Sequence, residues 1–109
     1  MIFEIEVSEQ ADRDLRNIYE YIAFELQSPE NAVGQLDRLE ESIMGLDQMP
    51  ERFREYESEP WHSRGLRIMP VDNYCVFYIP DAKNAVVTII RVMYGGRDID
   101  AQLKKYTKQ

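Results

Sequence analysis

At 109 residues, 44% of them hydrophobic and with a net charge of −7, the chain fits one folded domain spanning 1–109 and lies outside the disordered class. No apolar run approaches the roughly 20 residues that cross a bilayer, and the opening MIFEIEVSEQ, with glutamates and no basic side chain, does not read as a signal peptide. A single cysteine, Cys75, and a single histidine, His62, exclude an internal disulfide, suit a reducing cytoplasm and leave no protein-only zinc site without recourse to carboxylates.

The first element is a strand. Phe3, Ile5 and Val7 alternate with Glu4 and Glu6, the two-residue period of a chain with one buried face. Ser8 stands where an N-cap belongs, and Glu9 and Asp12 suit the positive end of the helix that follows. Ala11, Leu15, Ile18, Ile22 and Leu26 form its apolar stripe and carry the helix to about Gln27. Tyr19, Tyr21 and Phe24 lie beside that stripe; they either widen the core or form an exposed aromatic band able to dock a partner helix. Ser28-Pro29-Glu30 starts a second helix, with Ser as cap and Pro at the first helical position. Ala32, Val33, Leu36, Leu39, Ile43 and Leu46 are its stripe, and Pro50 stops it. So tight a connection predicts an antiparallel helical hairpin.

The acidic stretch from Glu51 to Pro60 predicts an irregular connection to a sheet. Leu66 to Met69 is a short strand, with Pro70 marking its end or a sheet edge. Asp72-Asn73 is a turn pair. From Tyr74 to Ile79 both alternating faces are apolar, Cys75, Phe77 and Ile79 on one and Tyr74, Val76 and Tyr78 on the other, so this strand is central. Pro80 to Asn84 is a hairpin loop, and Ala85 to Met93 a long β-branched strand. Gly95-Gly96 releases the chain, and Asp98 caps a short helix over 99–105. The class is α+β: an N-terminal strand, an antiparallel α-hairpin, a three-stranded antiparallel meander forming one sheet, and a short C-terminal helix.

Charge divides sharply along this order. Residues 1–60 hold 16 acidic and 5 basic side chains, a net of −11, whereas 61–109 hold 4 acidic and 8 basic, a net of +4. The basic half ends in Arg91-Val-Met-Tyr94-Gly-Gly-Arg97-Asp98, and burial does not explain two arginines and a tyrosine at a strand exit. That exit is the first place to look for function.

The element order, together with the words GLR, NYCVFY and RVMYGGRD, resembles the RelE/ParE superfamily of toxins from type II toxin–antitoxin (plasmid stabilisation) modules, and within it the ParE branch. The likeness covers nearly the whole chain. It implies a small cytoplasmic protein that arrests growth when freed from a cognate antitoxin, whose disordered segment folds around the toxin. ParE-like members act on DNA gyrase by protein binding and are not nucleases. RelE-like members cut mRNA in the ribosomal decoding site with basic and aromatic side chains. Here the nuclease pattern is incomplete: Cys75 stands after Tyr74 where RelE-like nucleases place an arginine, and Tyr94-Gly95 stands where related ones present a His or a Lys–Arg pair.

Three readings follow from the resemblance. In the first, the chain binds gyrase through Arg91, Tyr94, Arg97, Lys104 and Lys105, with no chemistry, cofactor, metal or small-molecule substrate. In the second, it is a ribosome-dependent mRNA endonuclease whose candidates are Arg67, Arg91 and Arg97 as phosphate contacts and Tyr94 or His62 for the base or proton. In the third, it is an inert member that only binds its antitoxin. Each residue also has a plainer role: Arg97 and Asp98 as a pair or cap, Tyr94 as a sheet-edge aromatic against the terminal helix, His62 as a half-exposed loop residue beside Trp61, and Cys75 as a small buried apolar side chain. A net charge of −7 disfavours an RNA binder.

Overall fold

A helical hairpin lies against one face of a four-stranded sheet, and a long loop with a terminal helix covers the other. In this computed structural model residues 1–96 and 98–106 are described, without the side chains of Lys105 and Tyr106. The elements are β1 (Glu4–Val7), α1 (Glu9–Glu20), α2 (Pro29–Met44), β2 (Arg67–Val71), β3 (Tyr74–Asp81), β4 (Val86–Tyr94) and α3 (Ile99–Tyr106). The strand order is β1-β4-β3-β2; β1 runs parallel to β4, and the other neighbours are antiparallel. The three-stranded meander and the central place of β3 agree with the sequence. Pro70 sits on the edge strand β2, where a missing N–H is tolerated.

The alternation in β3 sorts the core. Val76 and Tyr78 join Met69, Val71, Val87, Ile89 and Val92 under Ala11, Leu39, Ile43 and Leu46 of the helices. Phe77 faces the opposite way, with Cys75 and Ile79 beside it, and packs with Tyr56, Trp61, Leu66, Ile68, Ile90, Met93 and Leu103. The acidic loop is therefore half of a core: its Tyr56 and Trp61 are buried. A β-bulge lies opposite the Phe77–Tyr78 step, where Phe77 pairs with Arg91 but Tyr78 with Ile89. The extra residue lets both Ile89 and Val92 face the helices.

The first cap is as expected: Ser8 Oγ accepts from Ala11 N at 3.1 Å and donates to Ile90 O at 3.1 Å. Three expectations fail. Helix α1 does not continue regularly to Gln27 but passes into a π turn, Tyr21–Glu25, closed by Leu26 N to Tyr21 O at 3.0 Å. The wider turn shifts the phase of the stripe, so Leu26, placed inward by a 3.6-residue period, is exposed. Ser28 makes no side-chain cap; its carbonyl accepts from Ala32 N at 3.0 Å, and Pro29 takes the first helical position. Val33, assigned to the second stripe, is exposed as well. Asp98 does cap α3, with Oδ1 3.3 Å from Ala101 N.

Each core carries one buried phenol. Tyr78 donates to Pro50 O at 2.5 Å beneath the helices, and Tyr56 donates to the Asp100 carboxylate on the far face. Burial pushes both phenols from 10.0 up to about 12, and the neighbouring Asp100 charge adds to burial at Tyr56. A folded value above the unfolded one means a stabilising contribution that is complete below about pH 10 and is lost as pH rises through about 12. We expect the urea midpoint to fall across that window, and a spectrophotometric titration of the folded chain to show two tyrosines ionising later than the rest. A folded chain whose tyrosines all ionise together near 10 would contradict this burial.

Candidate functional site at the strand exit

Tyr94 is the last residue of β4 and stands opposite Tyr74, the first of β3. The two rings meet edge to face, centroids 6.0 Å apart and planes at 77°, a favoured aromatic geometry. Tyr94 remains 50% exposed. Gly95 N donates to Asn73 O at 2.9 Å, fastening the exit to the β2–β3 turn. That turn is held to the helices: Asp72, at φ 55°, accepts from Arg38 Nε at 2.8 Å and Gln35 Nε2 at 2.9 Å. The Arg38 hydrogen bond, with that of Gln35, keeps the Asp72 carboxyl below its ordinary range.

Arg91 does not reach the surface. It is 5% exposed and forks onto Asp14 of α1, Nε to Oδ2 at 2.7 Å and Nη2 to Oδ1 at 3.0 Å. Asp14 Oδ2 also accepts from Val92 N at 2.9 Å, and Arg91 Nη1 donates to Gln102 O of α3 at 3.5 Å. A candidate for target contact or phosphate binding is thereby the strut between α1, β4 and α3. Sequence reasoning passed over Asp14, although the signal was present: it lies three residues after Ala11 and four before Ile18, on the buried stripe.

Arg67 is also occupied. Its Nη1 donates to Phe53 O at 2.6 Å and Glu51 O at 3.1 Å, and Nη2 lies 3.3 Å from Glu55 Oε1. It ties the loop to the edge strand and has an 18% exposed side chain. His62 holds Nδ1 2.8 Å from Tyr56 O and 3.9 Å from Glu55 Oε2, in the loop over the second core and half-exposed. Cys75 is half-buried, and desolvation raises its thiol. Lys104 is exposed on α3. Arg97 lies outside the described residues, as does the Lys105 side chain. Of the sequence candidates, the structure thus brings Tyr94 and Lys104 to the surface near the exit and commits Arg67 and Arg91 to internal contacts. Among the described residues no three His, Cys, Asp or Glu side chains gather as a metal site, and no helix is long and apolar enough to cross a membrane.

A second surface lies on the helical hairpin. An open groove of about 670 Å³ is floored by Leu15, Tyr19, Phe24, Leu36, Ile43 and Met44. Phe24 is 69% exposed, and Tyr21 is exposed beside it, so the aromatic residues flanking the first stripe form a band on the surface; only Tyr19 is partly buried. The rim is mainly acidic, with Asp12, Glu20 and Glu40 outnumbering Arg16, which is itself paired with Asp12 at 3.1 Å.

A family model described as the ParE toxin of type II toxin-antitoxin systems, parDE, matches residues 5–99. Among solved structures the chain is similar to the chromosomal ParDE system from P. aeruginosa, with 20% identity, 85% of this chain and 96% of that one covered, and a TM-score of 0.69. It is similar to the RelBE2 toxin-antitoxin complex from Mycobacterium tuberculosis at 19% identity, with 86% and 99% covered and a TM-score of 0.61. An arginine-substituted E. coli toxin RelE in the free state gives 13% identity, 97% and 99% covered, and a TM-score of 0.65. At these identities the likeness to solved structures is one of fold. No curated protein matches.

Removing one member of a buried, hydrogen-bonded ion pair strands the other. Asp14→Ala is expected to lower the unfolding free energy by about 3–5 kcal/mol, read from urea titration. A change below about 1 kcal/mol would mean the pair is solvated and Arg91 is available to a partner.

Proposed function

Because the chain belongs to the ParE toxin family of type II toxin–antitoxin systems, we propose that it arrests growth by binding DNA gyrase, with the exit of β4 and α3 as the contact surface, and that a cognate antitoxin silences it. The observation that carries this reading over mRNA cleavage is the internal use of Arg67 and Arg91. Both are phosphate-contact candidates, but Arg91 is forked onto the buried Asp14 carboxylate and Arg67 donates to the Phe53 and Glu51 carbonyls, so the donors of both are engaged within the chain rather than presented to a scissile phosphate. His62, the one side chain with an ordinary pKa near neutrality, sits in the loop over the second core, hydrogen-bonded to Tyr56 O. Among the described residues, what faces outward at the strand exit is an aromatic ring, two glycines and a short helix bearing Lys104. Those are the materials of a protein contact, in which aromatic side chains contribute most.

The groove on the hairpin serves the antitoxin. Its apolar floor and acidic rim fit an amphipathic helix that carries basic residues on its flanks. The structural relatives include a ParDE toxin–antitoxin system from P. aeruginosa and a RelBE2 toxin–antitoxin complex from M. tuberculosis, which supports a partner of this kind. The two surfaces are built from different elements, so neutralisation and target contact can be separated by mutation.

Purified protein is expected to inhibit supercoiling by gyrase in a dose-dependent way while leaving mRNA intact in a translating extract. Undisturbed supercoiling together with cleaved mRNA would overturn the proposal. Phe24→Asp, at an exposed groove position, is expected to weaken antitoxin binding by roughly 10-fold or more, the cost of losing an aromatic anchor of about 1.4 kcal/mol or greater. Titration calorimetry measures this, and growth arrest by that variant should persist.

A further inference from the structure

The ring of Tyr94 leans over a glycine. A Cβ at Gly96 would stand 2.6 Å from Tyr94 Cε2, 3.3 Å from Cδ2 and 3.5 Å from Cζ. No real side chain tolerates the first of these distances, so an alanine there and this ring position exclude one another. Backbone conformation does not explain the glycine: the glycine with positive φ is Gly65, at 83°. The three nearest contacts at Gly96 all belong to Tyr94, whereas the neighbouring Gly95 meets nothing closer than 3.4 Å. The atoms nearest the space above Gly96 are those of one aromatic ring.

Another side of that ring is held too. Tyr74, its partner across the β3–β4 ladder, meets it edge to face at 6.0 Å. Tyr94 is therefore flanked by a ring and by bare backbone while half of it stays in water. An exposed tyrosine with open surroundings samples several rotamers, and ordering it on binding weakens affinity by roughly two- to tenfold. A ring whose pose is set before the partner arrives avoids that loss.

We infer that Gly96, together with Tyr74, is a positioning residue for the Tyr94 ring, holding it in the pose with which the strand exit engages the target. The inference rests on the reading of that exit as the target-binding surface. It assigns a role to a residue that touches no partner itself: Gly96 acts by leaving room. Because Tyr94 is half exposed, Gly96→Ala displaces the ring into solvent without opening the core, so fold and function separate.

The test is a double-mutant cycle on the full chain: Tyr94→Ala, Gly96→Ala and the two together. Its readouts are the inducer level that arrests growth, the melting temperature, antitoxin affinity and the NMR contacts of the Tyr94 ring with residue 96 and Tyr74. Gly96→Ala is expected to raise the arresting dose roughly three- to tenfold, to remove the Tyr94 ring contacts with Tyr74, and to leave melting temperature and antitoxin affinity unchanged. In the Tyr94→Ala background it is expected to add nothing, because the ring it displaces is gone. If Gly96→Ala weakens arrest equally in both backgrounds, or leaves arrest unchanged while Tyr94→Ala weakens it, the positioning role is wrong and the target surface stands. If Tyr94→Ala arrests growth as well as the parent, the target-surface reading fails, and the positioning role falls with it.

Discussion

Three elements on two sides of the sheet meet at one ion pair. Asp14 comes from α1 above the sheet, Arg91 from the bulged stretch of β4, and the Gln102 carbonyl from α3 below. A charge pair this buried stabilises only when geometry and hydrogen bonds offset the loss of water. Here the guanidinium is forked onto the carboxylate, and the carboxylate also accepts a backbone N–H. The direction of β4 at its exit, the seat of α3 and the height of α1 over the sheet are all referred to this contact. The strand exit is consequently anchored where it leaves the core and exposed where it ends.

The same contact stands between two exposed surfaces. The helical hairpin carries an acidic-rimmed apolar groove, while the strand exit carries the tyrosine pair and the terminal helix. The acidic half of the sequence makes β1, the hairpin and the loop, and the basic half makes the other three strands and the terminal helix. Two of the eight basic side chains in that second half, Arg67 and Arg91, are spent on the loop and on α1. A net positive segment therefore does not amount to a phosphate-binding surface, and counting charges along the sequence overstates what a nucleic acid would meet.

Features set by local chemistry were legible beforehand. The Ser8 cap, Pro29 at the start of α2, the Asp98 cap and the two apolar faces of β3 each follow from a few neighbouring residues, and each appears in the fold. Features set by distant partners were not. The π turn at Tyr21–Glu25 changes the helical phase, which a fixed 3.6-residue period cannot register, and Leu26 was misplaced for that reason. Tyr56 and Trp61 sit in a stretch so acidic that it read as a mere connection, yet they close the second core. Arg91 read as functional because it stands at the strand exit and Arg67 as a candidate phosphate contact, and their partners lie 77 and 14 residues away. Tyr94, singled out in the sequence at the strand exit, does lie exposed there, while its neighbours Tyr74 and Gly96 stood out only once the strands were paired.

Whether the chain stops DNA synthesis or translation decides the account most directly. After induced expression in a bacterium, incorporation of labelled thymidine and labelled methionine is followed separately over the first minutes. A ParE-like gyrase inhibitor predicts an early fall in DNA synthesis while protein synthesis continues. An early fall in protein synthesis with replication intact would contradict it and return Tyr94 and its surroundings to the ribosome.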